Sequence, residues 1–81
     1  MKREEILNTL RQKACEIVPD INGEDIVEKC YLRDLDIDSI DRNDIIIELC
    51  DTLDVKVRMI EFSGKNVGEI LDIIEDKINN K

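Results

Sequence analysis

Asp38-Ser39-Ile40-Asp41-Arg42-Asn43-Asp44-Ile45-Ile46-Ile47-Glu48-Leu49-Cys50-Asp51-Thr52-Leu53 is the stretch that decides the fold. Three consecutive isoleucines favour a strand by propensity, but the longer pattern is helical. At about 100° per residue with Ile40 at zero, Ile45, Leu49, Leu53 and Ile46 fall between about 140° and 240°. That is one core-facing stripe. Ile47 falls beside Ile40 on the opposite side, with Asp44, Asp51 and Asp54 around them. Asp38 is the expected N-cap, and Asp41 adds negative charge to the first turn.

Two further helices frame this one. The spacing of Leu7, Leu10, Ala14 and Ile17 predicts a helix from about Lys2 to Val18, stopped by Pro19. Asn66 is the expected cap of a third, whose buried stripe is Val67, Ile70, Leu71, Ile74 and Ile78. Arg58 to Phe62 fits one short helical turn, closed by Gly64. Residues 19–38 form a long connection, anchored by Ile21, Ile26, Leu32 and Leu35. Val55-Lys56-Val57 alternates but is too short to count as a strand. The expected fold is all-α, a small bundle of three main helices plus one short helix, in one domain over residues 1–81. Short β-pairing within 19–38 is the alternative.

Composition limits function. The 81 residues carry 12 Lys+Arg against 20 Asp+Glu, a net charge of −8. Nucleic acid and anionic membranes, which want a basic face, are excluded as main partners. Tyr31 and Phe62 are the only aromatics, so base-stacking platforms are missing. There is no His, which removes Ser-His and Cys-His nucleophile pairs and most catalytic zinc sites. No apolar run is long enough to span a bilayer, and no apolar signal core follows Met1-Lys2-Arg3-Glu4-Glu5. A cytoplasmic monomer is expected. Cys15, Cys30 and Cys50 have no metal-knuckle or redox spacing and read as free thiols.

The acidity is concentrated. Residues 34–54 hold eight acids and one base, Arg42, and so carry −7 of the −8. Two isoleucines framed by one sign of charge read as a docking surface, with apolar area for contact and acids for steering. Ser39 sits where loop becomes helix. As a structural residue it is a first-turn serine. As a nucleophile it lacks a base. As an acceptor for phosphate chemistry it is well placed, since a phosphodiester there would lie near free N–H groups. Asp34-x-Asp36-x-Asp38 imitates the start of a calcium loop, but Ser39 stands where glycine is needed and Ile45 where the bidentate Glu is needed.

Asp38-Ser39-Ile40, with Leu35-Asp36-Ile37 before it and an acidic helix after it, resembles the Asp-Ser-Leu signature of acyl carrier proteins. The resemblance extends to size, acidity, helix order and the long first loop. It implies a non-catalytic carrier whose Ser39 bears a 4′-phosphopantetheine arm, transferred from coenzyme A by a phosphopantetheinyl transferase. It implies partner contacts at Asp38, Ile40, Asp41, Asp44, Ile47, Glu48 and Asp51. The chain departs from common members at Asp36, where Gly is frequent, at Ile40, where Leu is commoner, and at Arg42 and Asn43.

Ser39-Ile40-Asp41-Arg42 and Arg58-x-Ile60-Glu61-Phe62-x-Gly64-x-Asn66-x-Gly68-Glu69-Ile70 resemble free-standing donor carriers of polyketide β-branching cassettes. That resemblance implies a malonyl cargo, decarboxylated to acetyl and donated for aldol addition. It implies an acyltransferase, a decarboxylating ketosynthase-like enzyme and a hydroxymethylglutaryl-CoA-synthase-like (HMG-CoA-synthase-like) enzyme as partners, with Arg42 and Arg58 helping a partner distinguish this carrier. The alternatives are a fatty-acid or D-alanyl carrier, or an acidic helical adaptor whose serine stays unmodified.

Overall fold

The computed structural model describes residues 2–35 and 37–80, and only the backbone of Met59. Asp36, singled out above as a departure from the carrier pattern and as part of the calcium-like triplet, lies outside the described residues. Three α-helices run in the order α1 (Arg3–Ile17), α2 (Ser39–Leu53) and α3 (Val67–Asn79). Short 3₁₀ turns occupy Gly23–Asp25, Leu32–Leu35 and Met59–Phe62. No strand occurs among the described residues, so the β-pairing alternative in the first loop is not realised.

Helix α1 starts from Lys2 in an extended conformation, and Glu4 and Glu5 complement the positive end of its dipole. The N–H of Val18 closes its last turn on Ala14, and Pro19 follows. Its fully buried line is Ile6, Leu10 and Ala14. The expected stripe therefore started one residue late: Leu7 and Ile17 are half-buried at its edges. Stepping by three and four, the expected residues centre about 20° away from the observed line, which leaves Leu7 at its margin and brings Ile6 inside.

The long loop is ordered from both sides. Ile26, Leu32 and Ile37 enter the core, while Ile21 and Leu35 are half-buried against it. Arg11 of α1 donates from Nε to the carbonyl of Ile26 over 3.0 Å. At the start of α3, the N–H of Val67 donates to the carbonyl of Cys30 (2.9 Å) and that of Gly68 to Glu28 (2.8 Å). Arg3 completes the tie with hydrogen bonds to Glu28, Asp72 and the carbonyl of Gly68. These two carboxylates hold its guanidinium charged more firmly than usual, chiefly through the hydrogen bond to Glu28.

Helix α3 carries a reciprocal cap. Glu69 N–H donates to Asn66 Oδ1 (2.8 Å), and Asn66 N–H donates to Glu69 Oε1 (3.1 Å). Val67, Ile70, Leu71 and Ile74 are buried, and Ile78 is half-buried at the fraying end. Gly64, at φ +71, makes the bend between the Met59–Phe62 turn and α3, a backbone region that favours glycine.

Candidate functional site

The site is built where the long loop becomes α2. Ile37 is a core anchor, 3% exposed. Asp38 follows in an extended conformation and caps the helix, its Oδ1 accepting the N–H of Asp41 over 2.9 Å. Ser39, the first helical residue, is thereby lifted to the surface and is exposed. The anchor, cap and serine are consecutive, so burial of one residue fixes where the hydroxyl emerges.

The two faces of α2 separate as the angular pattern predicts. Ile45, Ile46 and Leu49 are buried, and Leu53 is half-buried. Ile40 is 71% exposed and Ile47 49% exposed. Asp44, Glu48 and Asp51 are exposed on the same helix, and Asp41 is half-buried. Glu48 differs from the other acids, because Lys13 of α1 approaches it to 4.0 Å. Cys50 belongs to the core, which the angular pattern did not assign to it. Burial pushes its thiol up to about 11, with a smaller contribution from Asp51. Cys15 and Cys30 are half-buried free thiols.

A cleft of about 390 Å³ opens beside Ser39, between α2, the Tyr31–Arg33 segment of the long loop and the stretch from Ile60 to Lys65, with Ile70 of α3 also lining it. Ile46, Phe62 and Ile70, all nearly buried, line its apolar side. Ile60 also borders it, and at 78% exposed it is the most accessible large apolar residue described. The sequence pattern assigned Ile60 no role. The signal was present in Ile60-Glu61-Phe62, since a single turn that buries Phe62 turns Ile60 outward.

The two arginines singled out together are placed apart. Arg42 lines the cleft beside Ser39. Arg58 lines a separate shallow depression with Glu61 and Lys77. Its N–H donates to Glu61 Oε2 over 2.9 Å, and Lys77 approaches Glu61 to 3.7 Å. Among the described residues, no group of His, Cys, Asp or Glu is arranged to hold a metal ion.

Chemically, an exposed hydroxyl with no imidazole anywhere in the chain is poorly equipped to attack a substrate unaided. It can instead receive a group from an enzyme that supplies the base. The exposed helix start and the adjoining cleft fit a bulky phosphoester at that oxygen.

Comparison with known proteins agrees with this geometry. The phosphopantetheine attachment site family matches residues 6–74. The polyketide biosynthesis acyl-carrier-protein AcpK of Bacillus subtilis (strain 168) is 33% identical over 81 residues, covering 99% of this chain and 99% of that protein. In the crystal structure of the curacin biosynthetic pathway HMG synthase in complex with an acetyl donor acyl carrier protein, one chain matches with a TM-score of 0.81 and 31% identity. The match covers 95% of this chain and 100% of that one.

Proposed function

From the premise that this chain belongs to the phosphopantetheine attachment site family of non-catalytic carriers, we propose that Ser39 is its attachment residue and that it serves polyketide biosynthesis as a malonyl/acetyl donor carrier for β-branching. The observation that carries the first part is the exposure of Ser39 at the capped start of α2. In the attachment step, Ser39 Oγ bonds to the phosphorus of coenzyme A that bears the pantetheine. The pyrophosphate P–O bond breaks, the adenosine bisphosphate half leaves, and the transferase takes the hydroxyl proton. When attached, the arm supplies a terminal thiol that holds acyl groups as thioesters.

The chain's own residues do the rest. Ile37 and Asp38 hold the start of α2 in place. Ile40 and Ile47 offer apolar contact area on the outer face, and Asp44 and Asp51 steer basic partner surfaces onto it. The donor role is supported by the likeness to AcpK and to the carrier seen with an HMG synthase. An HMG-CoA-synthase-like enzyme is therefore the first partner to test. A phosphopantetheinyl transferase, an acyltransferase and a decarboxylating ketosynthase-like enzyme complete the proposed set.

Two measurements test this. Co-expression with a broad-specificity transferase should raise the intact mass by one arm, and Ser39→Ala should abolish the gain. A gain that persists in Ser39→Ala overturns the attachment assignment. For the donor role, an HMG-CoA-synthase-like enzyme should accept acetyl faster from this protein than from a fatty-acid carrier. Equal rates would count against it.

A further inference from the structure

The cleft beside Ser39 has a charge opposite to that of the molecule. Arg33, Arg42 and Lys65 border it, and no acid does among the described residues, although 20 of the 81 residues are acids. No carboxylate neutralises these three cations among the described residues, whereas Arg3, Lys13 and Lys77 are engaged by carboxylates. Arg33 lies over the ring of Tyr31, 4.9 Å from its centroid, which fixes it at the cleft without neutralising it. Arg42 is half-buried, and its Nε is shielded from solvent with no hydrogen-bond partner. A buried donor without an acceptor is uncommon and unfavourable, and a guanidinium is the side chain best shaped to grip an oxyanion.

Building on the Ser39 assignment above, we propose that this cleft seats the phosphodiester of the arm, with Arg42 as the principal contact and Arg33 and Lys65 supplying the surrounding positive potential. Ser39 and Arg42 are three residues apart on one helix, so their side chains are neighbours, with Cβ atoms about 5–6 Å apart. A phosphodiester bonded to Ser39 Oγ is held at this distance by covalent attachment, at high effective concentration. A carboxylate at the far end of a cargo would have to fold back along the whole arm to arrive there. The attached phosphate is therefore the occupant the geometry favours. Neither Asp38 nor Asp41 borders the cleft to oppose it. The grip lays the first bonds of the arm toward Ile46, Phe62 and Ile70 and away from the acidic outer face of α2.

The test is ³¹P NMR of the arm-bearing protein, with attachment verified by intact mass. The phosphodiester resonance of the native wild type should be displaced from its position in the same protein unfolded in concentrated urea, and it should move with added NaCl. Arg42→Gln should return it most of the way to the unfolded position and remove the salt response, while Arg42→Lys should keep part of both. Arg33→Gln and Lys65→Gln should each give a smaller displacement. Attachment of the arm should also raise the melting temperature of the wild type more than that of Arg42→Gln.

A native resonance that Arg42→Gln leaves in place overturns the proposal. So does an equal response to Asp44→Asn on the outer face, which would mean a general field and no local grip. An arm present by mass with an unmoved resonance removes only the grip. No arm on the wild type removes the grip and the Ser39 assignment together.

Discussion

The N–H of Gly68 donates to the carbonyl of Glu28 over 2.8 Å, and a Cβ at position 68 would stand 3.1 Å from that same oxygen. Gly68 is buried within α3, where alanine would ordinarily stabilise by about 1 kcal/mol through helix propensity. Here the contact decides the sign, because the neighbour is backbone and cannot swing aside. Gly68→Ala is expected to lower stability by about 1–2 kcal/mol, read by urea denaturation. A gain would show that the loop yields freely at Glu28.

Ile37 and Ile40 are three residues apart and lie in opposite environments, 3% and 71% exposed. Ile37→Ala should cost about 2–5 kcal/mol, as core truncations do. Ile40→Ala and Ile47→Ala should change stability by no more than about 0.5 kcal/mol and should weaken partner turnover instead. Paired thermal melts and synthase assays check both halves. A large stability loss at Ile47 would contradict its placement on the outer face.

Asp44 and Asp51 are exposed on that face, and no ion pair engages either among the described residues. Replacing both by Lys should slow partner turnover by roughly tenfold at low ionic strength and less as salt is added, with folding intact by circular dichroism. Glu48→Lys should act more weakly on turnover, since Lys13 already draws that carboxylate toward α1. Indifference of the partner to the double change would leave the acidic face as a solubilising surface.

Cys50 links stability to alkaline pH. Its thiol is pushed up to about 11 in the fold from an ordinary value of 9.0. The folded value is the higher, so the contribution is complete below pH 9 and is lost as pH rises through 11. Across that window the wild type should lose on the order of 2 kcal/mol more than Cys50→Ala does. Thermal melts at a series of pH values check it, and parallel losses would show that the thiol is not the group responsible. At neutral pH the same burial should make Cys50 the slowest of the three cysteines to react with an alkylating reagent.

What the sequence disclosed follows from where the information resides. Helix α2 was legible to its end residues, because the Asp38 cap and the angular separation of Ile40 and Ile47 from Ile45, Ile46 and Leu49 are local properties. Ile6 and Cys50 were missed because each lies at the margin of a stripe, where the neighbouring helix decides burial. The tie of Glu28 and Cys30 to the start of α3 left no trace, since backbone N–H and C=O groups are the same at nearly every residue. The gathering of Arg33, Arg42 and Lys65 around one cleft was equally invisible, because only tertiary packing brings those segments together. Arg42 and Arg58 were linked by a shared motif match, and the motif carried no information on their spacing in the fold, where they border different depressions.

Gly64 sits at φ +71 with open space where the Cβ of an L residue would project. Any ordinary residue there is penalised by chirality alone and not by crowding, which makes the bend a test of handedness. A D-alanine at 64, introduced by chemical synthesis with ligation at Cys50, would occupy the mirror-image region naturally and narrow the freedom of the unfolded chain. The mirror-handed residue should therefore melt higher than the natural protein, and L-alanine at the same position should melt lower.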